Sequence, residues 1–249
     1  MISHEQRDDI AILTLAHGKA NLFDVEFCRA VAAALDECAV SSARAAVLIA
    51  GGSIFSAGVD LRRLVDGGHR YAEEFLPALG HAFDVAFAFP KPLVAAVNGH
   101  AIAGGCILAS ACDHRIMVEG NGRIGIPELA VGVPFPALPL QIMSARVADG
   151  PLRDLVFTGR TVLIDEAKAL GLIDEKCPAG MLMDRALEVA QRMTTIPAGA
   201  FALTKQAFYT PILERTKQLA EMNAHVVDAW LQPHTYETIR KYLDRTIKK

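Results

Sequence analysis

Two glycine-containing segments have a backbone that could bind a negatively charged oxygen. In FSAGVDL (55–61), an Ala-Gly pair lets the chain come close to a ligand and leaves the N–H of Val59 free. In AGGCILASACDH (103–114), a glycine pair opens a short apolar helix. The first N–H groups of that helix, beginning with Gly104, have no internal acceptor and carry the positive end of the helix dipole. The two segments could supply the two donors of an oxyanion hole. Two tight turns with close helix packing explain the same glycines without a ligand.

A carboxylate follows in GIPELAVGVPFP (125–136). Pro127 suits the first position of a short helix, and Glu128 would lie in the same turn. The helix dipole alone favours an exposed glutamate at such a position. In a pocket formed by the flanking apolar side chains, its pKa would instead rise toward the range of a general base. The spacing leaves both interpretations open.

Other motifs do not support a cofactor, a covalent nucleophile or a metal. GNGRIG (120–125) matches GxGxxG but leads into Ile-Pro rather than a helix, so it predicts a turn and not a dinucleotide site. GGSIF (51–55) lacks the last glycine of GxSxG. Cys106 has no histidine placed by the sequence to activate it, so a buried structural thiol is favoured. There is no CxxC and no HExxH, and no metal site is expected.

The elements that must position these residues follow from the hydrophobic pattern. Short apolar runs predict buried strands, and apolar residues at helical spacing predict helices between them. The predicted strands are 10–15, 45–50, 92–97, 115–119 and 123–126. The predicted helices are 23–39, 71–89, a short helix opened by 104–105, 161–171, 180–194, 197–208, 212–231 and 234–247. Alternating strands and helices favour a mainly parallel α/β core with a helical extension after Cys177.

Composition restricts the classes of function. The chain has 249 residues, of which 52% are hydrophobic, so it can form one large α/β domain. Its formal net charge is −3 and its cations are not clustered, so no nucleic-acid partner is expected. No apolar run reaches the ~18 residues of a membrane span, and the polar N-terminus is unlike a targeting signal. Five cysteines, mostly in apolar runs, indicate reduced core thiols in a cytoplasmic protein.

Several segments, taken together and in order, resemble one family. They are FSAGVDL, KPLVAAVNGHAIAGGCILASACDHRI, IGIPELAVGV, LVFTGR and EAKALGLIDE. On these motifs the chain resembles the enoyl-CoA hydratase/isomerase (crotonase) family. The resemblance implies an α/β fold in which repeated ββα units form a spiral core (1–195). It also implies a C-terminal helical oligomerisation segment (196–249), through which the chain would form a homotrimer or a dimer of trimers. The implied substrate is an acyl-CoA thioester, with coenzyme A as part of the substrate and no separate cofactor.

The resemblance also assigns roles to residues by position. The backbone N–H groups of Val59 and Gly104 would hold a thioester enolate, and Glu128 would transfer the proton. The expected contacts to coenzyme A or the substrate are Ser56, Ala57 and Gly58 along the adenine, Arg62 near the phosphates, Gly105, and Tyr242 and Arg245 reaching coenzyme A from a neighbouring subunit.

One departure from the family pattern bears on the reaction type. Hydratases of the family use two glutamates, one just after the glycine loop and one at the position of Glu128. Here the first position is Ile107. Hydration needs a water activated between two carboxylates, and an isoleucine can neither give nor take a proton. The branch that keeps only the second glutamate is that of the mitochondrial-type 3-enoyl-CoA/2-enoyl-CoA (dodecenoyl-CoA) isomerases. The chain is similar to that branch in its AGGC motif followed by an aliphatic residue, its LTK motif (203–205) and its YL-acid-R ending (242–245). Ala103 stands where many family members have a third glycine.

The sequence therefore predicts an enoyl-CoA isomerase of fatty-acid β-oxidation type. Within the family, the alternatives are a hydratase that uses another acid and a different thioester reaction, such as hydrolysis or ring chemistry, with Glu128 as base. From another class, the alternative is a coenzyme A-binding or scaffold protein without turnover.

Overall fold

The computed structural model describes residues 1–247, which form ten strands and eleven helices. The strands are β1 (Ile2–Arg7), β2 (Ile10–Leu15), β3 (Ala45–Ala50), β4 (Ile54–Ser56), β5 (Leu93–Val97), β6 (His100–Ile102), β7 (His114–Val118), β8 (Arg123–Gly125), β9 (Thr161–Leu163) and β10 (Glu175–Cys177). The helices are α1 (Val25–Val40), α2 (Leu61–Ala88), α3 (Gly104–Ala111), α4 (Glu128–Val131), α5 (Ala137–Ser144), α6 (Asp149–Thr158), α7 (Ile164–Leu170), α8 (Leu182–Thr194), α9 (Ala198–Gln218), α10 (Ala220–Trp230) and α11 (Pro233–Ile247). All the predicted strands are present.

The larger sheet explains why its strands have continuous apolar sequences. Its order is β1-β2-β3-β5-β7-β10, and all neighbouring pairs are parallel except β1 with β2. Both faces are buried, since Ala46 and Leu48 of β3 belong to one apolar cluster and Ala45 and Val47 to another. Strands covered on both faces need apolar residues throughout. The polar and mostly exposed residues of β1 gave no such pattern, so this edge strand was not expected.

A smaller sheet of order β4-β6-β8-β9 completes a spiral of ββα units. The units are β3-β4-α2, β5-β6-α3 and β7-β8-α4. In each unit the first strand joins the large sheet and the second joins the small sheet. The second strands of all three units have only three residues, too few for a hydrophobic pattern to become visible. Two of these, β4 and β6, were not predicted.

Four predicted helices have clearly different bounds in the structure: 71–89, 161–171, 197–208 and 212–231. α2 begins at Leu61 rather than residue 71 and is broken at Gly68, whose φ of 60° is not helical. The segment 161–171 begins as β9, but it ends as expected at Gly171 in the left-handed conformation. α9 continues through Pro211, where the sequence predicted a break. No helix within residues 1–247 has both the length and the hydrophobicity needed to cross a membrane.

The C-terminal helices pack on their own chain. In α9, Lys205 forms a buried ion pair with Asp113 (Nζ–Oδ2 2.7 Å), and the Tyr209 hydroxyl donates to the other oxygen of that carboxylate (2.9 Å). α11 packs against α2 and α4. Residues 248–249 of the predicted oligomerisation segment lie outside the described residues. The division of the chain near residue 195 stays a prediction.

Candidate active site

Three neighbouring strands bring the predicted functional residues together. β4, β6 and β8 lie side by side and run parallel, so their carboxyl ends lie at the same edge of the small sheet. Val59 follows β4, Gly104 follows β6 and Glu128 follows β8. The sequence pattern placed the two glycine segments directly after the strands of the large sheet. In the structure, β4 and β6 follow those strands in the chain, and the two glycine segments lie at the aligned carboxyl ends of β4 and β6.

Hydrogen bonds hold the backbone on both sides of Val59 and leave its own N–H free. The Phe23 N–H donates to the Gly58 carbonyl (2.8 Å), and the Asp60 N–H donates to the Phe23 carbonyl (2.9 Å). The Val59 carbonyl accepts from the Leu61 N–H (2.8 Å). The Val59 N–H has no acceptor within residues 1–247. It is therefore available to a bound group.

The second free donor lies at the start of α3. The N–H of Gly104 has no acceptor in the described part of the chain, as is usual in the first turn of a helix. The preceding N–H, of Ala103, donates to the Gly125 carbonyl (2.8 Å), which joins this loop to the strand leading to Glu128. Gly58, with a φ of 88°, packs directly on the same loop. A methyl group at Gly58 would lie 2.8 Å from the Ala103 Cβ, so only glycine permits this approach.

Residues beside Gly104 have structural tasks. Ala103 has φ 50° and ψ −120°, a conformation that costs much less for glycine. A methyl group at Gly105 would lie 2.8 Å from the Cβ of Ser56, so this glycine permits contact between α3 and β4. Ser56 is fully buried, and its hydroxyl donates to the Asn21 carbonyl (2.8 Å).

Glu128 is the first residue of α4 and carries a buried carboxyl group. The residue is 8% exposed, and its Oε2 has no hydrogen-bond partner within residues 1–247. Burial raises the pKa of this carboxyl from its ordinary 4.5 to about 8. Gly132 closes the helix in the left-handed conformation, with its N–H donating to the Glu128 carbonyl. Glu128 is therefore not the solvated helix-start residue that the sequence also allowed.

Val59, Gly104 and Glu128 all line one cavity of about 420 Å³. Ile107 lies on its wall, which is mostly apolar. Within the described residues, the wall carries two carboxylates, those of Glu128 and Asp60. The Asp60 carboxylate accepts from the backbone N–H of Arg63 (2.9 Å) and so caps α2. Glu128 is thus the carboxyl group of the wall that has a buried oxygen without a hydrogen-bond partner.

A second apolar cavity of about 610 Å³ adjoins the first. The two share wall residues, among them Leu79, Phe83 and Trp230. Trp230 is fixed because its indole N–H donates to the Pro134 carbonyl (2.9 Å). The shared residues place the second space directly beside the first.

The predicted site residues fall into two groups. Those that line the 420 Å³ cavity are Ala57, Val59, Arg62, Gly104, Glu128 and Tyr242. Those that do not are Ser56, Gly58, Gly105 and Arg245. Tyr242 was expected to reach coenzyme A from a neighbouring subunit. In the structure, α11 packs on its own chain and Tyr242 lines the cavity of that chain, while Arg245 is exposed outside it. The contact from a neighbouring subunit stays a prediction.

Arginine neighbours at the start of α2 differ in what they contact. Arg63 is held by Asp24 (Nη1–Oδ2 2.9 Å) and Glu26 (Nη2–Oε1 2.6 Å), a network that the sequence analysis missed. Arg62 is exposed at the cavity wall and has no ion-pair partner within residues 1–247. Also missed were Leu79, Phe83 and Trp230, because the apolar face of a helix predicts packing and not a site.

The cysteines and metal-ligand types add no further chemistry. All five cysteines are buried and unpaired, and burial raises the pKa of Cys106 to about 12. A thiol with so high a pKa is not a nucleophile. The described residues contain no cluster of three or more His, Cys, Asp or Glu side chains suited to a metal ion.

The ββα spiral and the cavity at its strand ends define an α/β enzyme of the crotonase fold. Residues 5–247 match the family model described as enoyl-CoA hydratase/isomerase, and the chain belongs to that family. A putative enoyl-CoA hydratase of Thermus thermophilus is 36% identical over 192 residues, which are 76% of this chain and 75% of that protein. A probable enoyl-CoA hydratase of Mycolicibacterium paratuberculosis is 33% identical, over 92% of this chain and 90% of that one. Human mitochondrial delta3-delta2-enoyl-CoA isomerase has the same fold, with a TM-score of 0.94 at 21% identity, covering 99% of this chain and 98% of the human one. The fold class expected from the sequence is thereby confirmed.

Proposed function

We propose that this enzyme moves the double bond of a 3-enoyl-CoA to give the 2-enoyl-CoA. The observation that carries the proposal is the composition of the cavity wall. Glu128 is a buried carboxyl group with an unpaired oxygen, and Ile107 occupies the wall where a hydratase of the family would have its other glutamate. A double-bond shift needs one base, whereas hydration needs a second acid to activate water.

In the proposed mechanism, the thioester oxygen accepts hydrogen bonds from the N–H groups of Val59 and Gly104. Glu128 removes a proton from C2, the C–H electron pair forms a C1–C2 double bond, and the carbonyl pair moves onto oxygen. The oxygen pair then re-forms the C=O bond, the C1–C2 π pair becomes the C2–C3 double bond, and the C3–C4 π pair takes the proton from Glu128 at C4. Each free N–H contributes about 3 kcal/mol to stabilising the enolate-like transition state.

The raised pKa of Glu128 supports its role as the base. A base is most effective when its pKa lies near the working pH, and a value of about 8 meets that condition. The apolar wall that raises the pKa also excludes water from the enolate.

Coenzyme A would bind at the mouth of the cavity. Arg62, exposed at the cavity wall and without an ion-pair partner in the described chain, would bind a phosphate. Of the segment from Ser56 to Gly58, Ala57 lines the cavity and would contact the adenine, and Tyr242 would close the wall over the thioester. The adjoining 610 Å³ cavity offers apolar space for the far end of an acyl chain.

Two rivals remain distinct from this proposal. A hydratase is favoured by the names of the relatives, but it needs a second acid, and Asp60 is already the cap of α2. A coenzyme A-binding protein without turnover would have no use for an unpaired buried carboxyl, which costs free energy to keep.

We also propose assembly into a homotrimer or a dimer of trimers. Its support is the exposure of large apolar side chains on the C-terminal helices: Leu203 (70%), Phe208 (72%) and Met222 (61%).

The test is an assay of the purified protein on a 3-enoyl-CoA and on crotonyl-CoA. We expect isomerisation of the first and little hydration of the second. Replacing Glu128→Gln should lower the isomerisation rate about 10³-fold, within the usual range for loss of a general base. The control Glu119→Gln changes an exposed glutamate and should keep the rate.

Fast hydration of crotonyl-CoA, or undiminished isomerisation by Glu128→Gln, would contradict the proposal. Tight coenzyme A binding with no turnover would point to the non-catalytic alternative.

A further inference from the structure

Phe23 contacts both halves of the proposed oxyanion hole without lining the cavity. Its backbone N–H and C=O bind the residues on either side of Val59, Gly58 (2.8 Å) and Asp60 (2.9 Å). Its ring lies against Gly104: a methyl group there would be 3.0 Å from Cδ2 and 3.2 Å from Cε2 of Phe23. One residue therefore fixes the Val59 backbone and supports the Gly104 backbone.

The ring of Phe23 is itself held firmly. It packs against Phe27 (centroids 5.3 Å apart) and edge-on against Phe83 (5.6 Å), and it is fully buried. Phe83 is also 3.4 Å from the position of a methyl group at Gly104. A ring packed closely on several sides has little freedom to move, so it holds the Gly104 backbone in a fixed position.

The chain around Phe23 runs as a strap along the Val59 loop. We define the strap as residues 20–24. The Ala20 carbonyl accepts from the Ala57 N–H (2.9 Å), and the Asn21 carbonyl accepts from the Ser56 hydroxyl (2.8 Å). With the two bonds of Phe23, the strap pairs the polar backbone groups around Val59 and leaves the Val59 N–H unpaired.

We propose that Phe23 is a positioning residue that sets the distance between the two oxyanion donors. This inference rests on the proposed function, since it takes the N–H groups of Val59 and Gly104 as the donors. Oxyanion stabilisation depends on donors held at the position that the oxygen will occupy. Phe23 never touches the substrate, and its effect passes through the Val59 and Gly104 backbones.

The test compares Phe23→Leu with Phe87→Leu. Leucine at position 23 keeps the backbone bonds and removes the ring that supports Gly104. Phe87 is equally buried but stacks on Tyr209 (centroids 4.2 Å), outside the cavity wall, so its variant controls for lost core packing. For Phe23→Leu we expect kcat to fall about tenfold to a hundredfold, a part of what loss of a whole donor costs, with KM changed less than about threefold. Phe87→Leu should lower the melting temperature but not kcat.

A second readout needs no turnover. A conjugated aryl-acryloyl-CoA, whose absorption moves to the red when its carbonyl is polarised, reports directly on the two donors. We expect a clear red shift on binding to the wild type and to Phe87→Leu, and a smaller one with Phe23→Leu.

A full red shift and a full kcat in folded Phe23→Leu would overturn the inference. If Phe23→Leu does not fold, Phe23→Met keeps more of the side-chain volume and serves in its place, with the same expected and overturning results. A wild type that shifts the probe but does not isomerise would contradict the proposed function and leave the test of Phe23 valid.

Discussion

The pH dependence of the reaction follows from the burial of Glu128. Because burial raises the pKa of its carboxyl to about 8, Glu128 is mostly protonated in the free enzyme at neutral pH. A base must be ionised to remove the C2 proton, so kcat/KM should rise with pH and reach its plateau about one unit above that pKa. With that pKa, about a tenth of the enzyme is active at pH 7 and about a hundredth at pH 6.

The assay follows formation of the conjugated 2-enoyl thioester from a 3-enoyl-CoA between pH 6 and 9.5 at low substrate concentration. Under these conditions kcat/KM reports the ionisation of the free enzyme. We expect a single rise with its midpoint near 8, retained in Glu119→Gln. A midpoint below pH 6, or a rate that does not change with pH, would refute the link between burial and basicity.

The same pKa shift affects stability. The folded state binds the Glu128 proton more tightly than the unfolded state, so the protein loses stability as pH rises from about 4.5 to about 8 and no more above that range. The contribution is about 5 kcal/mol at most over this range. Denaturant unfolding of the wild type and Glu128→Gln should therefore diverge with pH, with the variant gaining relative stability as pH rises. Parallel curves would show that Glu128 ionises normally.

Other features make independent predictions. Ala103→Gly should raise the free energy of unfolding by about 1 kcal/mol in denaturant titrations, because glycine adopts φ 50° without strain, and a loss of stability would contradict this. Lys205→Met should cost about 3 to 5 kcal/mol because it leaves the buried Asp113 carboxylate without its positive partner, whereas Lys217→Met removes an exposed ion pair and should cost less than about 1 kcal/mol. Leu76→Trp should fill part of the 610 Å³ cavity, lowering kcat/KM for long-chain substrates but not for a six-carbon one; an equal loss for both would show that acyl tails do not enter it.

The sequence indicated the main strands and the three candidate site residues because these signals are local. A continuous apolar run identifies β3 or β5, and a glycine pair or a Pro-Glu step draws attention to a candidate site within a few residues. β4 and β6 have three residues each and are defined by pairing with one another, which no local pattern records. Tyr242 shows the same limit, since the path of α11 over its own chain depends on contacts with distant helices.

Phe23 shows a different limit. A phenylalanine at the start of the predicted helix 23–39 indicates ordinary core packing, and nothing in its sequence neighbourhood distinguishes it from Phe27. Its contacts with the Val59 and Gly104 loops arise because the segments that follow β2, β4 and β6 lie beside one another in the fold. Ile107 is the reverse case. The proposed reaction type depends on its residue type at a position recognised from the family resemblance, and the structure adds only that it lines the cavity.

The central claim is that one carboxyl group carries the proton from C2 to C4. The most direct test is a single-turnover reaction in ordinary water with a 3-enoyl-CoA that carries deuterium at both C2 positions, read by mass spectrometry of the product. The account predicts 2-enoyl-CoA in which part of the deuterium has moved to C4, because Glu128 holds it in an apolar cavity. Product with no deuterium at C4, or a 3-hydroxyacyl-CoA as the main product, would contradict it.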